Sequence, residues 1–109
     1  MKNKNETDVL NSICEYLDLK KYFFWRNNNQ AVFDPRTHGF QKSKKYTIKG
    51  VSDIILLLDG KVWFIEVKNN KPCKTYQSKE QKEFEKNVIK NGSYYLVARS
   101  IDDLIKLGF

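Results

Sequence analysis

The stretch VSDIILLLDGKVWFIEVK, residues 51–68, decides the fold of this 109-residue chain. It consists of two runs of β-branched and aromatic residues joined by Asp59-Gly60, and an Asp-Gly pair between such runs is a strong signal for a two-residue hairpin turn. Both runs are apolar at consecutive positions, which is typical of strands that are covered on both faces. The stretch therefore predicts an antiparallel pair at the centre of a sheet, with helices on either side.

The residues before the hairpin predict a helix, a strand and a long polar loop. Residues 5–18 place apolar side chains at the spacing of an amphipathic helix, and Glu6 belongs to the N-terminal edge of that apolar face. The run YFFWRNN predicts a strand with Tyr22, Phe24 and Arg26 on one face. The chain from Asn27 to Lys49 is too long for a plain connector, so we expect a functional loop. The basic residues of this loop are Arg36, Lys42, Lys44, Lys45 and Lys49.

The residues after the hairpin predict two further helices and one strand. SKEQKEFEKNVIKNG begins with Ser78 and Gln81 at capping-box spacing and stops at Gly92. SYYLVA predicts a strand, and SIDDLIKLGF predicts a short terminal helix whose Ser100 and Asp103 also have capping-box spacing. The element order is αβββαβα. A chain of this length matches one α/β domain over residues 1–109, since single domains typically have about 100–150 residues.

The charge balance indicates a polyanionic partner. Lysine and arginine number 20 against 13 acidic residues, a net charge of +7, which favours nucleic acid. No apolar run approaches the roughly 20 residues of a membrane helix, and the N-terminal residues lack the apolar core of a signal peptide. Cys14 and Cys73 lie far apart in the sequence. We therefore expect free thiols in a reducing cytosol and no membrane association.

The hairpin register opposes two carboxylates. With a two-residue turn Leu58 pairs with Lys61, so Asp53 pairs with Glu66. Directly opposed side chains start roughly 5 Å apart, and like charges in that relation are destabilising. Both carboxylates also emerge from a largely apolar surface, where burial without a partner is costly. Either one carboxylate is protonated with a raised pKa, or a cation lies between them.

The cation is the interpretation developed here, because magnesium takes oxygen ligands that often include only one or two protein carboxylates. Glu6 could add a third carboxylate through a water, and the Val67 carbonyl a further oxygen. The one histidine, His38, lies in the polar loop, so a zinc site of His and Cys is not expected. Lys68 shares a strand face with Glu66 and can hold or help deprotonate an attacking water. Alone, this E-x-K pattern fits a surface ion pair at a strand end better than a catalytic site, but Asp53 in paired register and Gly50 just before it favour the catalytic site.

The ordered set of Glu6, FFWRNN, residues 49–53, residues 66–68, and Ser78 with Gln81 resembles the VRR-NUC family of nucleases. This family is a branch of the PD-(D/E)XK superfamily. Ser52 stands where the superfamily pattern has proline. The resemblance implies a restriction-endonuclease-like αβββαβ core, here with a short C-terminal helix, in which helices flank a mixed central sheet.

The resemblance also implies roles for individual residues. Asp53 and Glu66 would bind magnesium or manganese with the Val67 carbonyl, Glu6 would support the metal through a water, and Lys68 would position the attacking water. Gln81 would support the site and approach the substrate backbone. The expected DNA contacts are Arg26, Lys44, Lys45, Lys49, Ser78 and Gln81.

The chain further resembles stand-alone, phage-type members of the family, which are similar to Holliday-junction resolvases. That likeness implies a homodimer acting on branched DNA in the cytoplasm of a host, without a small-molecule cofactor. A restriction-like or flap nuclease is an alternative within the enzymes. A non-catalytic nucleic-acid-binding module and a small α/β interaction domain are alternatives of other classes, but neither has a use for opposed acids.

Overall fold

The computed structural model describes residues 5–27, 33–34, 39–40, 48–69 and 77–109. The helices are α1 (Glu6–Leu19), α2 (Lys79–Lys90) and α3 (Ile101–Ile105). The strands are β1 (Phe23–Arg26), β2 (Phe33–Asp34), β3 (Gly39–Phe40), β4 (Ile54–Leu58), β5 (Lys61–Val67) and β6 (Tyr94–Ala98). Several residues named in the sequence analysis lie outside the described ranges: Arg36, His38, Lys42, Lys44, Lys45 and Cys73.

The main sheet has the strand order β1-β4-β5-β6. β4 is antiparallel to both of its neighbours, β1 and β5, and β6 joins β5 in parallel, so the sheet is mixed. Asp59 and Gly60 both have positive φ, 53° and 77°, as a type I′ hairpin turn requires. The prediction of a central hairpin with this turn is confirmed.

The pairing of β4 with β5 has the predicted register. Leu58 pairs with Lys61 and Ile54 with Ile65, and continuing the same register by one residue sets Asp53 opposite Glu66.

The sequence did not predict β2 and β3. These two-residue strands pair in a separate two-stranded sheet within the long polar loop. A strand of two residues shows no side-chain alternation, so periodicity cannot reveal it.

Helices cover both faces of the sheet, as predicted, although not over its whole width. Ten residues from α1, the sheet, α3 and the C-terminus form one buried cluster: Val9, Ile13, Leu17, Ile54, Leu56, Ile65, Val67, Ala98, Leu104 and Phe109. On the other face α2 packs Phe84 edge-on against Phe64, with ring centroids 5.2 Å apart. Near the β1 edge Phe23, Trp25 and Leu57 remain exposed. Among the residues described, the second helical layer therefore covers only the β5 and β6 side.

The two predicted capping boxes have different outcomes. At α2 both halves form: the Gln81 N–H donates to the Ser78 hydroxyl, and the Ser78 N–H donates to Gln81 Oε1. At α3 the prediction is wrong, because the Ser100 side chain makes no cap hydrogen bond. The Asp103 carboxylate instead accepts the backbone N–H of Arg99 at 2.8 Å. Arg99 is the residue before the N-cap, Ser100.

The topology gathers the ends of several strands and helices at one end of the sheet, opposite the Asp59-Gly60 turn. β4 begins there, and β1 and β5 end there, because these strands are antiparallel neighbours. The first turn of α2 contacts this end through Gln81. α1 runs away from it, since its last turn connects to β1 through the Tyr22 N–H and the Leu17 carbonyl. None of the helices in these ranges is long and apolar enough to cross a bilayer.

Candidate active site

Asp53 and Glu66 face each other at this end of the sheet. Asp53 lies one residue before β4, and its Oδ2 accepts the backbone N–H of Val67 at 2.8 Å. The Asp53 backbone is held as well, because its carbonyl accepts the N–H of Asn27, the residue after β1, at 2.8 Å. The Asp53 carboxylate is thus tied to the strand that carries Glu66, while Glu66 itself is only 3% exposed.

One oxygen of Glu66 lacks a partner. Glu66 Oε1 accepts the amide Nε2–H of Gln81 at 2.9 Å. Glu66 Oε2 is buried and has no hydrogen-bond donor within the described part of the chain. A buried carboxylate oxygen without a donor is strongly destabilised unless it gains a proton or a cation.

The pKa of Glu66 is raised, as expected for a buried carboxylate with too few hydrogen-bond donors. Burial, followed by the negative charge of Asp53, raises the pKa of Glu66 from 4.5 to about 8. The Lys68 ammonium opposes this rise, whereas the charge of Glu6 adds to it, as does the hydrogen bond that a protonated Glu66 would donate to Asp53. At neutral pH the site therefore holds either a proton on Glu66 or a positive ion beside it.

Gln81 links the catalytic lysine candidate to the acid pair. Its Oε1 accepts both the Ser78 N–H at 2.9 Å and the Lys68 Nζ–H at 3.2 Å, while its Nε2 donates to Glu66. With both donors on the oxygen side, the orientation of the amide is fixed. Lys68, only 8% exposed, is therefore held beside Glu66 by a side chain whose own position is set by the helix cap.

Gly50 sets the distance between α2 and this end of the sheet. It has φ +80°, and a Cβ at this position would lie 2.5 Å from the Glu80 carbonyl carbon and oxygen and 2.7 Å from the Gln81 nitrogen. Only glycine combines this backbone conformation with such a close approach. The absence of a side chain here allows the first turn of α2 to bring Gln81 to Glu66.

Glu6 and Arg26 lie around the acid pair rather than within it. Glu6 is the first residue of α1 and is exposed, yet its charge contributes to the raised pKa of Glu66. Arg26 is exposed at the end of β1, paired with Ile54. Arg26 and Asp53 both act on the Cys14 thiol, whose pKa is raised chiefly by burial, so Arg26 is close to the site.

The other predicted contacts have separate positions. Lys49 is exposed just before Gly50, and Ser78 is the exposed N-cap of α2. Lys44 and Lys45 lie outside the described residues, so their predicted roles stay predictions.

The oxygen donors fit a small divalent cation. The described ranges contain no group of three or more His, Cys, Asp or Glu side chains able to hold a metal. The side-chain ligands at this site would therefore be two carboxylates, those of Asp53 and Glu66. The Val67 carbonyl projects to the same strand edge as the Val67 N–H, which points at Asp53. Two carboxylates and a carbonyl suit magnesium or manganese, which complete their shells with water and phosphate oxygens.

Tyr95, which accepts a hydrogen bond from Gln77, lies near Glu66 but was not predicted. Gln77 Nε2 donates to the Tyr95 hydroxyl at 3.1 Å. Burial, then the charge of Glu66, raises the pKa of Tyr95 to about 12. Tyr95 alternates with apolar residues in its strand, so the sequence pattern indicates a core aromatic and gives no sign of its proximity to Glu66.

The bridging role of Gln81 leads to a first prediction. Gln81→Ala removes the amide that holds Lys68 and Glu66, so we expect cleavage activity to fall at least tenfold, as for a misplaced catalytic group. Stability should fall by about 1 kcal/mol through the lost cap. Ser78→Ala is the matched control, because it weakens the same cap but leaves both of those amide contacts. Thermal unfolding and cleavage rates compare the two variants, and equal activity in both would remove Gln81 from the site.

Comparisons with known proteins add one finding about the fold. No family model matches the sequence, and no curated protein matches it closely enough to be a relative. Among solved structures, a "VRR_NUC domain protein" superposes with a TM-score of 0.68 over 97% of this chain and 86% of its own, at 19% sequence identity. The expected restriction-endonuclease-like architecture is thereby confirmed, and the chain has the fold of a VRR_NUC domain.

Proposed function

We propose that this chain is a VRR-NUC family endonuclease that uses magnesium or manganese to hydrolyse phosphodiester bonds in branched DNA. The observation that carries the proposal is the buried Glu66 Oε2, which lacks a donor and lies opposite Asp53. A cation there would compensate the negative charge of that oxygen and could also coordinate a phosphate oxygen of the substrate. The VRR_NUC fold and the net charge of +7 support nucleic acid as the substrate.

Each residue of the site has a role in this proposal. Asp53, Glu66 and the Val67 carbonyl would hold the ion, and Glu6 would reach it through a water. When bound, such a cation polarises a phosphoryl oxygen and lowers the pKa of a coordinated water. Lys68, held by Gln81, orients the attacking water and offsets the negative charge that develops on the phosphoryl group.

The helices favour the same substrate. α1 and α2 both begin at the site end of the sheet, and the backbone dipoles at helix N-termini attract anions. The first turn of α1 carries Glu6 and Asp8, so a phosphodiester that approaches the acid pair is attracted chiefly by the N-terminus of α2 and by Lys68. Arg26 and Lys49 are exposed nearby and would contact the DNA backbone.

Cleavage of a matched set of DNA substrates tests the proposal. End-labelled four-way junction, flap and linear duplex would be incubated with magnesium, manganese or chelator, with wild-type protein and with Glu66→Gln. We expect metal-dependent cutting of a branched form by the wild type and no cutting by the variant. Preferential cutting of the flap would favour a flap nuclease. Tight binding without cutting under either metal would favour the non-catalytic binding module.

The role of Lys68 gives a second prediction. Lys68→Ala should lower the turnover rate by about 10²–10⁴-fold, the range for a lost general acid or base, while the magnesium concentration for half-maximal activity changes little. Lys90→Ala, an exposed lysine in the last turn of α2, is the control. Normal turnover in Lys68→Ala would exclude the lysine from the chemistry.

The homodimer is also part of the proposal. Two copies would supply two active sites for two cuts in a four-way junction, and a chain this small offers limited surface for gripping DNA alone. Sedimentation of the protein with and without junction DNA tests this point, and a monomer in both conditions would contradict it.

A further inference from the structure

A cavity of about 660 Å³ opens along the outer edge of β6, the last strand of the four-stranded sheet, between α2 and α3. It lies next to the candidate active site, because Lys68 lines it and because Lys82 follows Gln81 in α2. Val97, on its floor, pairs with Glu66 across β5 and β6, and neighbouring strands lie about 4.8 Å apart. A ligand in this cavity, which we call the β6 cavity, would therefore be a direct neighbour of any group bound at Asp53 and Glu66.

The charges around the β6 cavity favour an anion. Four basic residues line it: Lys68, Lys82, Arg99 and Lys106. Asp103 is the carboxylate among the lining residues in the described ranges, and it already accepts the Arg99 N–H. Arg99 is fixed in the wall, since its Nη1 donates to the Asn69 carbonyl at 3.1 Å. Lys82 and Lys106 are exposed and present their ammonium groups at the rim.

Apart from Gln77, whose amide donates to the Tyr95 hydroxyl, the remaining lining is apolar. Leu96, Val97 and Leu107 contribute aliphatic surface, and Leu107 is 53% exposed although it adjoins a cavity. A purely phosphate-binding site has no use for such a surface, whereas the sugar and base of a nucleotide do. The volume falls in the range of about 300–1,000 Å³ that is typical of sites for small organic ligands.

We propose that the β6 cavity receives one unpaired nucleotide next to the phosphodiester that is cut. Its base lies against Val97 and Leu107, and its phosphate lies between Lys82 and Lys106. A base within a duplex cannot enter, because it is stacked and paired with its partner. The inference rests on the proposed nuclease function and defines its substrate class: DNA with an unpaired nucleotide beside the scissile bond, as at a gap, at a flap, or at a junction with opened base pairs at its branch point.

Equilibrium binding in the presence of chelator tests this inference without cleavage. The probes are a fluorescein-labelled, fully paired duplex and the same duplex with three unpaired nucleotides at its centre. We expect wild-type protein to bind the second probe about tenfold more tightly, through base contacts and released counterions. Lys82→Ala/Lys106→Ala should remove most of that preference. Leu107→Asn, which leaves the charge unchanged, should also reduce it.

The control variant is Lys61→Ala/Lys90→Ala. It removes the same number of charges, but Lys61 begins β5 beside the turn and Lys90 ends α2, so both lie toward the opposite end of the sheet. We expect this variant to keep the preference for unpaired nucleotides. Equal affinity of the wild type for both probes, or a preference that survives Lys82→Ala/Lys106→Ala, would overturn the inference. Absence of DNA binding would also overturn it and would point to an acidic protein partner.

The binding experiment and the cleavage assay together separate the nucleotide site from the nuclease function. A preference for unpaired DNA that depends on Lys82 and Lys106, found in a protein that cuts no substrate, would support the nucleotide site and contradict the nuclease. Cleavage of branched DNA without any such preference would support the nuclease and contradict the nucleotide site.

Discussion

Glu66→Gln is expected to abolish cleavage and, at the same time, to stabilise the metal-free protein above neutral pH. The glutamine keeps an acceptor for Gln81 Nε2 and offers its own N–H₂ to Asp53, where wild-type protein has a buried oxygen without a donor. Cleavage should fall at least about 100-fold, the scale for losing a group that stabilises transition-state charge. Asp53→Asn should have the same two effects, because it relieves the same repulsion.

The stability change has a defined dependence on pH. The pKa of Glu66 is about 8 in the folded protein and 4.5 as its ordinary value, so between these values the folded state keeps a proton that the unfolded state has lost. The metal-free wild type therefore loses stability as pH rises through this window, and the loss is complete above pH 8. Glu66→Gln has no such group and should show no such decline.

The difference is measurable by thermal unfolding with chelator at pH 5 and pH 8.5. At the higher pH we expect the variant to exceed the wild type by up to about 5 kcal/mol, since the pKa rises from 4.5 to about 8 and one pKa unit corresponds to about 1.4 kcal/mol; solvent screening reduces this upper bound. The upper bound corresponds to a shift in Tm of roughly 20 °C for a domain of this size. Glu15→Gln, an exposed residue of α1, is the control. An identical pH profile for Glu66→Gln and wild type would contradict the assigned environment of Glu66.

Gly50→Ala is expected to be the most damaging conservative substitution at the site. The added Cβ would meet the Glu80 carbonyl group at 2.5 Å, and that group belongs to the backbone of α2 and cannot rotate away. The substitution also places a side chain at φ +80°, which costs about 1–2 kcal/mol by itself. We expect a total loss of at least about 3 kcal/mol in the free energy of unfolding, comparable to severe overpacking.

Gly92→Ala is the matched control for this contact. Gly92 has nearly the same φ, +82°, but a Cβ there meets nothing within 4 Å. The two variants share the backbone strain, so the difference between them measures the approach of α2 to Gly50. Gly50→Ala should also lower cleavage, because displacing the first turn of α2 moves Gln81 from Glu66 and Lys68. Equal unfolding temperatures for the two variants would show that α2 adjusts without penalty.

The parts of the site that the sequence predicted are those set by local geometry. The Asp59-Gly60 turn fixes the pairing of two adjacent strands, so the opposition of Asp53 and Glu66 follows by counting. The helix cap likewise fixes Gln81, because a glutamine three residues after Ser78 must reach back toward the first turn. In both cases a short-range rule determines the position of a functional side chain.

The parts that the sequence did not predict depend on contacts between distant segments. The packing of Gly50 on Glu80, the approach of Tyr95 to Glu66 and the β6 cavity all require knowledge of how α2 and β6 lie on the sheet. The failed cap at Ser100 has a related cause, since its partner Asp103 is taken by the N–H of Arg99. Spacing rules identify residues that could form a hydrogen bond with each other. They do not identify other groups that bind one of those residues instead.

The short sequence distance between Asp53 and Val67, 14 positions, has a consequence for how the chain folds. Contacts this close in sequence form early, because closing a short loop loses little chain entropy. We therefore expect the two carboxylates to meet in a nascent hairpin, before the pairing of β6 and the packing of α1 complete the domain. Their repulsion opposes this step unless a proton or a cation is present. The ion proposed for catalysis should then also accelerate refolding, so that the chain acquires its cofactor while it folds rather than afterwards.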